Sequence, residues 1–110
     1  MKGKQLSIEA LGMIAERFKV LSEPIRLQIL HTLQEGEKSV NELTEVVQTS
    51  QPNVSKHLKI LQKAGILTRE QHGNTVYYKI ADESIFTLCE TVCGSLEEQF
   101  KNQAEIFSLA

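Results

Sequence analysis

The 110-residue chain is 41% hydrophobic and 24% charged with a formal net charge of −2, the composition of one small globular domain (1–110) rather than of a disordered segment. No apolar run approaches the ~18–20 residues of a membrane span, and Lys2 and Lys4 are followed by helix-patterned sequence, which argues against a membrane partner and a signal peptide. Two cysteines are too few for a disulfide scaffold, so the expected compartment is the cytoplasm.

Leu11, Ile14, Ala15, Phe18 and Leu21 fall at the three-and-four spacing of an amphipathic helix over 6–21. Ser22 then offers a cap and Pro24 a first turn for a second helix through Ile25, Leu27, Ile29, Leu30 and Leu33, ended by Gly36. Ser39 is the expected cap of a short third helix holding Leu43, Val46 and Val47, with Glu42 in capping-box position. After the polar break Thr49-Ser50-Gln51, Pro52 opens a fourth helix with Val54, Leu58, Ile60 and Leu61, closed by Gly65. The period then changes. Ile66–Gln71 and Thr75–Ile80, separated by His72-Gly73-Asn74, read as a β-hairpin over 66–80. Asp82 starts a last helix over 82–103, with Ile85, Leu88, Cys89, Val92, Leu96 and Phe100 along one stripe. The expected fold is mainly α with a small hairpin. With 5% aromatics and no Trp, extra burial in a dimer seam is expected.

The net charge conceals its distribution. Residues 51–80 carry Lys56, Lys59, Lys63, Arg69 and Lys79 against Glu70 alone, a local +4, whereas residues 82–110 sum to −5. A basic island on an acidic chain suits a polyanion, because the rest of the surface is repelled and the approach is oriented.

Inside that island a short helix, a polar turn and a second helix make a helix-turn-helix over 39–64, whose second helix would enter the major groove by its N-terminal end. Val54, Leu58 and Leu61 share the inward face, leaving Ser50, Gln51, Asn53, Ser55, Lys56 and Lys59 to project outward, with His57 as either a DNA-facing or a packing residue. Gln and Asn can pair bidentately with adenine, Ser reaches a base edge or phosphate, and the helix N-terminus attracts phosphate. The basic hairpin would lie as a wing on the backbone or in the minor groove, bringing Arg69, His72 and Asn74 to double-stranded operator DNA. No phosphate loop or nucleophilic triad can be assembled, and adjacent Asp82 and Glu83 are helix-start acids; the chain is not expected to be an enzyme.

Leu21-Ser22-Glu23-Pro24-Ile25-Arg26-Leu27, Ser50 to Leu61, Ala64-Gly65-Ile66-Leu67 and Gly73 to Tyr77-Tyr78, in that order, resemble the ArsR/SmtB family over roughly residues 10–100. The resemblance implies a homodimeric winged helix-turn-helix repressor, paired through its first and last helices and released from its operator by a metal, metalloid or thiol-reactive inducer. It also implies sensing sites that this chain lacks. Ser39 and Asn41 stand where arsenic and lead or cadmium sensors carry Cys-x-Cys. Asp82-Glu83-Ser84 and Ser95-Leu96-Glu97-Glu98 keep the acids of the zinc sensors and lose both histidines, and His31 replaces a persulfide-sensor cysteine.

Cys89 and Cys93 remain, one helical turn apart. Their spacing suits convergence on a soft metal or metalloid better than an intrahelical disulfide, and a redox switch stays open beside plain core packing. A winged-helix module that docks proteins without an operator, or a repressor with no thiol or metal sensing, are the alternatives.

Overall fold

The computed structural model describes residues 5–101. Lys2 and Lys4, and residues 102–103 of the expected last helix, lie outside the described residues.

Helix starts are set by side chains that accept from otherwise unpaired backbone N–H groups. Ser7 caps α1 (Ile8–Leu21), its Oγ accepting from Ala10 N at 3.1 Å. The cap of α2 (Pro24–Leu33) is Glu23, whose Oε2 accepts from Ile25 N at 3.1 Å. Ser22 does not take that role, because Pro24 occupies the first helical position and the cap must be its neighbour. Ser22 instead closes α1, its hydroxyl donating to the Lys19 carbonyl at 2.9 Å. Helix α2 stops at Leu33, three residues before Gly36, which turns the chain at φ +133°.

The capping box of α3 (Val40–Val47) forms as expected: Glu42 N donates to Ser39 Oγ at 3.2 Å and Ser39 N to Glu42 Oε1 at 2.9 Å. Ser50 caps α4 (Gln51–Lys63), which begins one residue ahead of Pro52, and Gly65 follows it at φ +80°. Helix α5 spans Ser84–Gln99, with the Asp82 carboxylate accepting from both the backbone N–H and the hydroxyl of Ser84.

The sheet has three antiparallel strands in the order β1-β3-β2, one more than the hairpin expected. Strand β1 is the pair Lys38–Ser39, set against Tyr78 and Tyr77. Strands β2 (Leu67–His72) and β3 (Thr75–Ile80) pair from Leu67↔Ile80 to His72↔Thr75. The connection is therefore Gly73-Asn74 alone, and His72 belongs to the strand. Gly73 carries the positive φ, +63°, at the first central position, where a type II′ hairpin turn needs glycine.

Ile29 and Leu30 of α2, Leu43 of α3, Val54, Leu58 and Leu61 of α4, and Ile66 and Leu67 where β2 begins form the core. Full burial of each such aliphatic side chain is worth about 1.5–3 kcal/mol. The long stripes of α1 and α5 stay outside it: Phe18 is 51% exposed and Val92 48%, and only Val20, Leu21 and Ile85 of these helices are buried.

Candidate nucleic-acid interface

The core fixes which face of α4 is free. Val54, Leu58 and Leu61 point inward and are fully buried, so Gln51, Lys56, Lys59 and Lys63 are exposed, and Asn53 and Ser55 are half-exposed. An open groove of about 600 Å³ runs along Ser55, Lys56, Lys59 and Lys63. Between α4 and the wing a cleft of about 400 Å³ gathers Ser55, Lys59, Gln62 and Arg69. Toward the wing tip a third, of about 230 Å³, gathers Asn41, Gln51, Asn74 and Thr75. Residues from α3, α4 and both wing strands thus form one continuous surface. Among the described residues, Lys56, Lys59, Lys63 and Arg69 make no ion pair, so their charge is available to a polyanion.

Several side chains are partly committed already. Ser50 Oγ accepts from Asn53 N at 3.3 Å as the helix cap, which leaves its hydroxyl proton free for a phosphate oxygen. Asn53 Nδ2 donates to Thr49 Oγ1 at 3.1 Å, fixing the amide and leaving its oxygen as an acceptor. His72 is exposed at the wing, 3.5 Å from Glu70 and with its ring centroid 5.5 Å from that of Tyr77.

His57 has to be moved from the surface set to the interior. It is 5% exposed, its Nδ1 accepts from Arg26 Nε at 3.0 Å, and its Nε2 lies 3.6 Å from Glu23 Oε2. Burial, foremost, holds its pKa below the ordinary histidine value, with Arg26 and Lys56 adding to the effect and Glu23 opposing it. Its place between Val54 and Leu61, beside Leu58, was the available signal. Conversely, Asn41, Gln62, Lys63 and Thr75, which were not expected at the DNA, line the surface. Lys63 lies one turn beyond Lys59 in the basic island, a spacing that marks the same face.

A separate face is apolar. Phe18 and Leu21 of α1, Leu27 of α2, and Leu88, Val92 and Leu96 of α5 line a groove of about 450 Å³ that also receives Cys89 and Cys93. Both cysteines are free thiols and half-buried. Burial pushes the Cys89 thiol up, and the hydrogen bond from Cys93 Sγ to Glu97 Oε1, at 3.3 Å, does the same for Cys93. Among the described residues, three metal-ligating side chains converge elsewhere: Glu37, Glu70 and His72, all exposed, with donor atoms within 4.8 Å of one another.

A short helix, a tight turn, a second helix with a free cationic face and a hairpin folded beside it define a winged helix-turn-helix domain. Particular relatives narrow the class. The chain belongs to the ArsR family: the family model "Bacterial regulatory protein, arsR family" matches residues 23–69. It is 38% identical over 87 residues to the arsenical resistance operon repressor of Bacillus subtilis, covering 77% of this chain and 83% of that one. It is 39% identical over 77 residues to the transcriptional repressor SmtB of Mycobacterium tuberculosis, covering 70% of this chain but 57% of that relative, so it spans little more than half of SmtB's length. The solution structure of the homodimeric winged helix-turn-helix DNA-binding domain Mb0332 from Mycobacterium bovis matches with a TM-score of 0.73 at 30% identity, covering 89% of this chain and 95% of that one. Members of the family are transcriptional regulators and not enzymes. Among the described residues no helix is long and apolar enough to cross a membrane.

Proposed function

We propose that the protein is a homodimeric transcriptional repressor of the cytoplasm that binds double-stranded operator DNA through α4 and the wing. The unpaired cationic face of Lys56, Lys59, Lys63 and Arg69, continuous with the polar N-terminal end of α4, carries the reading. A protein-docking module would present large apolar anchors there, and the large exposed apolar side chains lie instead on α1, α5 and the edges of α2 and α3. Gln51 and Ser55 are assigned to base edges, with Asn53 beside them; Lys56, Lys59, Arg69, His72 and Asn74 are assigned to the backbone.

Fluorescence anisotropy on the DNA upstream of the protein's own coding sequence tests this. Lys56→Ala and Lys59→Ala should weaken binding to all sequences and each lower the log–log salt slope by about one. Gln51→Ala and Ser55→Ala should relax base preference by about 1–3 kcal/mol. Equal losses on specific and random duplexes from all four would refute the division of roles. Binding of random and upstream DNA with the same affinity would refute an operator.

Release is assigned to Cys89 and Cys93, which face the apolar groove between α1 and α5. The chemistry that fits two half-buried, protonated thiols is capture of a soft metal or metalloid, or slow oxidation by a thiol-reactive species. The B. subtilis relative is a repressor of an arsenical resistance operon, and a structural neighbour at 28% identity and TM-score 0.79 is the antimony-specific repressor AntR. A Cys89→Ser, Cys93→Ser variant should no longer leave DNA when challenged with cadmium, arsenite, antimonite, peroxide or polysulfide. A variant that responds like the parent would place the cysteines in packing alone.

A further inference from the structure

The one buried histidine sits inside α4, and the hydrogen bond it accepts fixes its proton. Arginine Nε–H can only donate, so the bond of 3.0 Å from Arg26 makes His57 Nδ1 an acceptor. The single ring proton must then lie on Nε2, facing Glu23 Oε2 at 3.6 Å. The same guanidinium uses Nη1 to hold the Val20 carbonyl, at the end of α1, at 2.9 Å. One side chain at the start of α2 therefore joins the last turn of α1 to the inner face of α4.

This arrangement admits only a neutral imidazole. A second proton would sit on Nδ1, opposing N–H to N–H and placing a cation against the guanidinium in a site where the ring is 5% exposed. The charged groups acting on the ring are Glu23 and Arg26 from the start of α2 and Lys56 from α4 itself. Glu23 favours the imidazolium. Burial and the two cations oppose it, and together they outweigh the carboxylate.

We propose that His57 is a pH-sensitive positioning residue: neutral, it locks the recognition helix to Arg26 and the α1–α2 junction, and protonated it releases that lock and with it the DNA. The inference rests on the DNA-binding reading above. Because the folded value is depressed, the lock is complete above the unfolded histidine value of about 6.5 and is lost as pH falls through the lower folded value. The direction is distinctive. Positive charge gained on an exposed DNA-binding surface would instead tighten binding.

Two measurements decide it. Nitrogen-15 imidazole shifts of the free protein at about pH 7.5 should show His57 as the Nε2–H tautomer, exchanging to imidazolium on acidification below the ordinary histidine range. An Nδ1–H tautomer, or titration at or above the ordinary value, overturns the proposal without reference to DNA. Binding is then compared at about pH 7.5 and about pH 5, above the carboxylate range, in a His31→Gln, His72→Gln background where His57 is the sole histidine. Affinity for the upstream duplex should fall about tenfold, within the usual 5- to 150-fold range of coupled sites, with circular dichroism unchanged. His57→Asn, which keeps an acceptor for Arg26 and does not titrate, should abolish the difference. A background protein that binds equally at both pH values, an Asn variant that keeps the response, or loss of the fold at pH 5 refutes the switch. Absence of DNA binding by the unsubstituted protein at about pH 7.5 refutes the DNA-binding reading instead, and the tautomer and titration still test the lock.

Discussion

The Cys93 thiol owes its raised pKa first to the hydrogen bond it donates to Glu97, one helical turn on, and only then to burial. Glu90 follows Cys89 in sequence and suggests itself as the acid that resists thiolate formation, yet the carboxylate that a thiol meets is Glu97, 3.3 Å from Cys93 Sγ. Glu97→Gln should therefore lower the Cys93 pKa and speed its alkylation by iodoacetamide at about pH 7.5, while Cys89, raised by burial, keeps its rate. Peptide mapping by mass spectrometry reads the two sites separately; equal acceleration at both would show a general loosening of α5. Asp82 supplies an opposite case. Hydrogen bonds from Ser84, side chain before backbone, and Arg17 beyond them hold its carboxyl below the ordinary aspartate value. Its stabilising contribution is complete above the unfolded value of about 4 and is lost as pH falls through the lowered one, so Asp82→Asn should flatten the acid limb of Tm against pH. Patterning located Cys93 and Asp82, and helical spacing already sets Glu97 one turn beyond Cys93, but only the fold pairs Asp82 with Arg17, 65 residues away.

Among the elements, α3 and α4 are joined by a turn that bends through Gln48 at φ +57° and ψ +46°, the one non-glycine residue in left-handed backbone among those described. An L side chain pays about 1–2 kcal/mol there, partly offset in glycine by its freer unfolded chain. Gln48→Gly should raise stability by about 0.5–1 kcal/mol, a Tm gain of roughly 2–8 °C for a domain of this size. A drop in Tm would mean that the Gln48 side chain does more than occupy the turn. This strain left no mark in the sequence, since Gln has no turn preference, and the same is true of β1. A strand of two residues has no period to detect, and Lys38-Ser39 becomes one only because β3 is there to pair with it. The helices were legible because caps and apolar spacing agree within each: Ser39 with Glu42, Ser50 ahead of Val54 and Leu58, Pro24 ahead of Ile29 and Leu30. The exposed face of α4 was legible for the complementary reason: once Val54, Leu58 and Leu61 are inside, the helical period leaves Gln51, Lys56 and Lys59 outside. His57 escaped that logic because a ring with two nitrogens can serve either face, and its partners Glu23 and Arg26 lie on another helix.

At the scale of the whole molecule, the described residues measure 48 × 39 × 21 Å, and α1 and α5 are left with apolar stripes uncovered. Leu11, Ile14, Phe18 and Val92 are between 36% and 51% exposed, and they lie on the two helices expected to pair. The homodimer proposed above would cover this face with a second copy of the chain; the Mb0332 domain, of the same architecture, is homodimeric. The proposed seam is joined to the proposed DNA surface by one side chain. Arg17 of α1 donates through Nη2 to the Ala64 carbonyl at the end of α4, at 2.8 Å, and through Nη1 to Asp82 ahead of α5, at 3.2 Å. A shift of α1 or α5 at the seam therefore pulls on the end of the recognition helix. Val92→Glu with Leu96→Glu should yield monomers in sedimentation velocity, because an unpaired charge in an apolar seam is costly. Neither side chain belongs to the buried core, so far-ultraviolet circular dichroism should be unchanged. Operator affinity should nonetheless collapse, since two recognition helices meeting half-sites ~34–36 Å apart bind as one unit and a monomer keeps only one of them. A doubly substituted protein that sediments as a dimer would place the seam on another face, and a folded monomer that binds the operator as tightly as the parent would show that a single recognition helix suffices.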